Sequence, residues 1–203
     1  AMGEADAFAI GKDEIKFLNS EADGFEESTE IIEDITDAVI AGLADYCRKS
    51  GIKRIVLGLS GGIDSAVAAC VACAAVGPAN VLGIAMPSRF SSQHSLDDAK
   101  HTAESLGMEF KIEPIDGMHT ALEGTIGEVL DDGNPVASEN IQSRLRGIIV
   151  MAHANAQNRM AIATGNKSEL AQGYCTLYGD MAGGYTPLGD LYTVSYTHLT
   201  LPT

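Results

Sequence analysis

Six consecutive residues, Ser60-Gly61-Gly62-Ile63-Asp64-Ser65, combine groups that can hold a phosphate or pyrophosphate. Two glycines let the backbone turn successive amides toward an anion, and Ser60 and Ser65 add hydroxyl donors. The Ala/Val-rich stretch that follows reads as a helix, whose positive end would face the same point. Asp64 alone would repel that anion, so its presence calls for a divalent cation between carboxylate and phosphates. A tight turn in which Asp64 caps the helix is the competing reading. The run is neither the Walker pattern, which ends in Gly-Lys-Ser/Thr, nor the dinucleotide fingerprint.

The other reactive residue types form no comparable group. His94, His101, His119, His153 and His198 lie on separate segments without ligand spacing and read as surface or half-buried side chains. No Gly-x-Ser-x-Gly elbow surrounds any serine, which argues against a Ser/His nucleophile. Cys70 and Cys73 have a metal-like or redox-like spacing, but they fall inside the Ala/Val helix, where small buried thiols are packing.

The elements that must position the loop alternate along the chain. Residues 1–27 mix Gly, Asp, Glu and Ala without a period and read as a linker or the tail of an upstream domain. From Ser28 the apolar positions Ile31, Ile32, Ile35, Val39, Leu43 and Tyr46 recur at helical spacing and stop at Gly51. Arg54 to Leu59 is a short apolar strand that breaks into the glycine loop and then a helix from about Asp64 to Val76. The unit repeats as a strand over Val81 to Met86, a loop, a helix over Ser95 to Leu106 with a Ser95/Asp98 capping pair, and a strand over Glu109 to Ile115. A helix from about Ser138 to Gln157 feeds a strand from Met160 to Ala163. This alternation predicts an α/β fold: a doubly wound parallel sheet with helices on both faces and ligands at the carboxyl ends of its strands.

Composition narrows the partners. A chain of 203 residues, 45% apolar, can bury one substantial core. Its 13 basic and 28 acidic residues give a net charge of -15, which disfavours nucleic acid. No apolar run approaches the length of a membrane span, and the acidic start lacks the basic residues of a signal peptide, so a soluble cytoplasmic protein is expected.

Gly58-Leu59-Ser60-Gly61-Gly62-Ile63-Asp64-Ser65 resembles the PP-loop of the ATP pyrophosphatases, which form an adenylate and release pyrophosphate. The PP-loop does not choose among the branches of that superfamily. Later segments do: Ala163 to Glu169, Gly173-Tyr174-Cys175-Thr176-Leu177-Tyr178-Gly179-Asp180-Met181 and Pro187 to Tyr192 are similar to NAD synthetase in order and spacing. Ser138 to Gly147 resembles that family's dinucleotide-contacting helix, and Met86 to Ser92 resembles its glutamine-dependent members. The resemblance covers about residues 30–192, within an expected domain over 28–192. It implies that residues 58–65, with Met86 and Thr164, hold ATP, and that Asp64 and Glu169 bind magnesium and serve catalysis. It further implies that Asn140, Arg144, Glu169, Tyr174, Cys175, Thr176 and Leu177 meet deamido-NAD. From the residues alone, Arg144 and Arg146 can equally be surface charges, and Glu169 a solvated carboxylate at a helix start.

The implied activity is ATP-dependent adenylation of deamido-NAD and amidation by ammonia, giving NAD, AMP and pyrophosphate. The nitrogen would come from glutamine through an upstream glutaminase domain, and a homodimer is implied. The family follows Asp-Leu-Tyr with a lysine near the ATP phosphates, whereas position 193 is Thr and residues 193–203 read as a foreign tail on a truncated frame. Weak ATP binding and little NAD formation are therefore expected. Another PP-loop amidotransferase, such as GMP synthetase, and a non-catalytic nucleotide-binding fragment are the alternatives.

Overall fold

The computed structural model describes residues 9–10, 15–16, 26–130 and 135–196. Two short strands, β1 (Ala9–Ile10) and β2 (Ile15–Lys16), pair antiparallel within the stretch expected to be a linker. There follow α1 (Glu26–Ser50), β3 (Ile55–Gly58), α2 (Ile63–Val76), β4 (Val81–Ala85), α3 (Gln93–Leu106) and β5 (Glu109–Ile112). The chain continues through α4 (Asp116–Leu130), α5 (Pro135–Gln157), β6 (Met160–Ala161) and α6 (Lys167–Gln172). Four strands form one parallel sheet in the order β5-β4-β3-β6, with Ile55 opposite both Val81 and Met160.

Strand alternation divides the core into two layers. Ile55, Leu57, Leu59, Val81 and Ala85 pack with Leu43 and Cys47 of α1, the body of α2, and Ala99, Ala103 and Leu106 of α3. Val56, Leu82, Ile84 and Met86 point the other way, onto Val150 and Ala154 of α5 and onto Ile115. Helices thus cover both faces, as the alternation predicts. Every residue from Ser65 to Cys73 in α2 is buried, because the sheet lies under this helix while α1 and α3 pack against it. That is why its sequence is apolar all round rather than on one stripe.

The amino end of the sheet is tied by Arg159, which donates to the carbonyls of Ile55 and Asn80 at 3.3 Å and to Glu109 Oε2 at 2.7 Å. Three strands that meet only through their ladders are thereby also joined at their starts.

Some local expectations are corrected. Helix α3 is capped by Ser92, whose Oγ accepts from the Ser95 amide at 3.1 Å, and not by a Ser95/Asp98 pair. The helix begins two residues earlier, which places Asp98 one turn after His94 and within 2.6 Å of its Nδ1. Strand β5 ends at Ile112 because its last partner, Ala85, ends β4. Helix α4 was not legible: Gly117, Gly124 and Gly127 lower its propensity, and Ile126 departs from helical geometry at φ -125°. His119 on α4 is fully buried rather than on the surface, because the helix presents it inward. His198 and the rest of residues 197–203 lie outside the described residues.

Burial pushes the Cys70 and Cys73 thiols up to about 12, and the Cys73 thiol lies 3.8 Å from the Met108 sulfur. These are packing groups, as their setting in the sequence implied. The folded chain keeps their protons where the unfolded chain releases them, so the linked stability is intact below pH about 9 and is lost as pH climbs toward 12. Urea unfolding in reductant between pH 8 and pH 11 is expected to show stability falling by on the order of 1 kcal/mol per pH unit per thiol. Cys70→Ala and Cys73→Ala should each flatten that slope.

Candidate active site

The carboxyl ends of β3, β4 and β6 open onto one cavity of about 500 Å³. Gly58, Leu59, Ser60, Gly62, Asp64 and Ser65 line it from β3 and the start of α2, Met86 from the end of β4, Thr164 from the loop after β6, and Glu169 from the first turn of α6. Gly61 and Ile63 shape the loop from outside the lining. The loop is held by its own serines. Ser65 Oγ donates to the Gly62 carbonyl at 2.9 Å and accepts from the Ser60 amide at 3.2 Å, while Ser60 Oγ accepts from the Gly62 amide at 3.1 Å. Gly61 adopts φ +82°, and a Cβ there would lie 2.2 Å from the Ser95 carbonyl oxygen. Both the backbone conformation and the contact with α3 therefore demand glycine.

Helix α2 begins at Ile63 with Gly62 as its cap residue and no side-chain cap. Asp64 is thus not the capping residue of a tight turn: its Oδ1 accepts from the Tyr196 hydroxyl at 2.7 Å, and its second oxygen has no partner among the described residues. Burial, then the bond to Asp64, holds the Tyr196 phenol well above its usual range, with the Glu169 charge adding to the shift. Tyr196 is 2% exposed, so this part of the tail packs into the core, and the Thr193 amide donates to Ser168 Oγ at 3.1 Å. Glu169 forms a capping box with Asn166: its Oε2 accepts from the Asn166 amide at 3.0 Å, and its own amide donates to Asn166 Oδ1 at 3.0 Å. Its other oxygen likewise has no hydrogen-bond partner among the described residues. Among the described residues no cluster of three or more acidic, histidine or cysteine side chains could hold a metal. Two half-free carboxylates in one cavity do suit magnesium that takes its remaining oxygens from substrate phosphates and water.

The residues expected to meet the dinucleotide form the next wall, beyond the lining itself. Thr176 Oγ1 donates to Asn140 Oδ1 at 2.8 Å, its amide donates to Asp180 Oδ1 at 2.8 Å, and Arg144 Nε donates to the Leu177 carbonyl at 3.2 Å. The loop sits hard against α5: a Cβ on Gly179 would lie 2.3 Å from Ser143 Oγ, and one on Gly147 would lie 2.8 Å from the Tyr178 carbonyl oxygen. Tyr174 and Leu177 are exposed and Cys175 is half-buried. Sequence reasoning missed Ser91 and Ser95 on the β4 side and Ser143, Arg146 and Asp180 on the α5 side. Stepping by helical turns from Asn140 to Ser143 and Gly147 would have found the α5 stripe. The β4 loop is anchored by Arg89, whose amide and side chain donate to Asp116 Oδ1 at 2.9 and 3.4 Å and whose Nη2 donates to Thr120 Oγ1 at 2.8 Å.

A parallel sheet with a two-serine, two-glycine anion loop at its central strand and carboxylates on either side defines a PP-loop nucleotide-binding domain. A family profile described as NAD synthase matches residues 35–201, and the chain belongs to that family rather than to the GMP synthetase branch. It is 56% identical over 156 residues to the glutamine-dependent NAD(+) synthetase of Rhodobacter capsulatus, covering 76% of this chain and 28% of that protein. The glutamine-dependent NAD+ synthetase of Acinetobacter baumannii, solved with ADP, superposes with a TM-score of 0.80 at 37% identity, over 83% of this chain and 32% of that one. The NH3-dependent NAD synthetase of Campylobacter jejuni superposes with a TM-score of 0.75 at 32% identity, over 82% of this chain and 71% of that one. The chain thus spans under a third of the length of these two glutamine-dependent relatives.

Gly61→Ala is expected to cost about 1–3 kcal/mol of stability and to abolish ATP binding, as read by urea unfolding and calorimetric titration. An unchanged midpoint and affinity would show that the loop tolerates a side chain.

Proposed function

We propose that this chain is the ATP-using portion of a glutamine-dependent NAD synthetase. The observation that carries the reading is the convergence of the PP-loop, Asp64 and Glu169 on one cavity at the carboxyl edge of the sheet. A carboxylate resists ammonia because it is anionic and its leaving group would be oxide. In the proposed reaction the nicotinate carboxylate of deamido-NAD attacks the α phosphorus of ATP, forming a carboxyl–phosphate bond as pyrophosphate leaves. Ammonia then adds to the activated carbonyl, loses a proton, and expels AMP to leave the amide of NAD.

The chain's own groups position and neutralise. The open amino end of α2 would face the phosphates, with the Ser60 and Ser65 hydroxyls bracing the loop around them, and Met86 and Thr164 would border the nucleoside. Asp64 and Glu169 would hold magnesium, which supplies positive charge to the departing pyrophosphate. Asn140, Arg144 and the loop from Tyr174 to Leu177 would receive the dinucleotide. Ammonia would be delivered by a glutaminase domain upstream. The exposed side chains of Ile148 and Met151 on α5 offer an apolar surface for the homodimer that the family resemblance implies. The free thiols Cys47, Cys70, Cys73 and Cys175 suit a reducing, cytoplasmic compartment, and among the described residues no helix is long and apolar enough to cross a membrane.

The test is incubation with ATP, magnesium, deamido-NAD and either ammonium or glutamine, with products separated. Pyrophosphate and AMP formed only with deamido-NAD support the reading, and the same release with xanthosine monophosphate would overturn it. Asp64→Asn should weaken magnesium-dependent ATP binding tenfold or more, by about the loss of a charged ligand. Glu169→Gln should show the same defect and also weaken deamido-NAD. Calorimetry with each ligand checks both.

A further inference from the structure

Arg146 brings to the cavity a positive charge that the described protein does not answer. Its orientation follows from the helix period: Ser143, Arg146, Gly147 and Val150 line the cavity at positions i, i+3, i+4 and i+7 of α5. Arg144, two residues earlier, falls outside that stripe and holds the Leu177 carbonyl instead. Arg146 Nε donates to the Met86 carbonyl at 3.1 Å, at the carboxyl end of β4. Met86 in turn abuts the end of β3, since a Cβ on Gly58 would lie 3.0 Å from its Cε. The guanidinium is therefore moored beside the strand end from which the PP-loop springs.

A guanidinium has five N–H donors. Beyond the Nε bond, those of Arg146 find no acceptor among the described residues, and no described carboxylate lies within ion-pair distance. The acidic side chains of the same cavity each hold another partner on one oxygen, and none of them pairs with Arg146: Asp64 with Tyr196, Glu169 with the Asn166 amide, and Asp180 with the Thr176 amide. Partial burial pulls the Arg146 pKa down, as expected for a cation that has lost part of its hydration without a compensating anion. Such a charge costs free energy in the empty cavity, and a bound anion offsets that cost. The uncapped amino end of α2 suits an anion in the cavity, yet the side-chain charge of the lining is mostly negative. Among the described residues, Arg146 is the cation that lines it.

We propose that Arg146 binds an oxyanion of the substrates, either a phosphate oxygen of ATP or the carboxylate of deamido-NAD. The second source rests on the proposed synthetase reading; the first needs only nucleotide binding. Calorimetric titrations of the parent, Arg146→Gln and Arg146→Lys with four probes separate the sources: ATP with magnesium, adenosine, deamido-NAD and NAD. Arg146→Gln should lose about tenfold or more in affinity for an anionic probe, with a flatter salt dependence, and Arg146→Lys should recover part of it. Loss for ATP with adenosine unchanged identifies a phosphate. Loss for deamido-NAD with NAD unchanged identifies the carboxylate. Equal losses for charged and uncharged probes, no loss for any, or a parent that binds ATP no better than adenosine would overturn the proposal. Should Arg146→Gln fail to fold, Arg146→Met, which keeps the stem, carries the same comparison. Failure of the parent to bind deamido-NAD would overturn the synthetase reading while leaving the ATP and adenosine comparison to decide the role of Arg146.

Discussion

Parallel hydrogen bonding on both edges of β3 is the constraint from which the cavity follows. Because β4 and β6 run in the same direction on either side, their carboxyl ends lie level with that of β3, and the chain must leave all three at one edge. The PP-loop, the Met86 to Ser92 segment and the Thr164 to Glu169 segment are thereby neighbours, although more than a hundred residues separate the first from the last. An antiparallel β6 would send its loop to the other end of the sheet. The Arg159 guanidinium reinforces the arrangement from the far edge by joining the starts of β3 and β5 to the turn before β4.

Within that frame the loop is fixed by contact more than by charge. Ser60 and Ser65 close it internally, and Gly61 is pressed against the first turn of α3. The same logic governs the opposite wall, where Gly147 and Gly179 let α5 and the loop after α6 approach at backbone distance. Small residues at these points bring donors within reach of a shared cavity, and larger ones would hold the walls apart.

The electrostatics run against the overall composition. A chain with net charge -15 repels anions at long range, but solvent and salt screen that field beyond about 10 Å. Inside the cavity the local groups dominate: amide dipoles, the amino end of α2, hydroxyl donors and the Arg146 guanidinium. The carboxylates there are occupied on one oxygen each by Tyr196, by the Asn166 amide and by the Thr176 amide. Such bonds fix the direction in which the second oxygen points, which is what a metal shared with phosphates requires.

The sequence by itself determined the alternation of strands and helices, the sheet's parallel character, the anion loop and the family, because each is written in local periodicity or in a short contiguous run. Asp64 and Glu169 could be singled out as candidates through the family resemblance of the runs that hold them. The sequence did not determine that Ser92 caps α3, since Ser92 and Ser95 are equivalent caps until the strand before them sets the chain's exit. Nor did it reveal α4, whose glycines mask a helix that packs on α5. Which arginine of α5 enters the cavity was decided by tertiary structure alone: Arg144 and Arg146 are chemically identical, and only the helix's rotation against the sheet separates them. The burial of Tyr196 against Asp64 is a contact across 132 positions that no local pattern encodes. Local patterns specify what a segment becomes, whereas the meeting of distant side chains depends on how the finished layers pack.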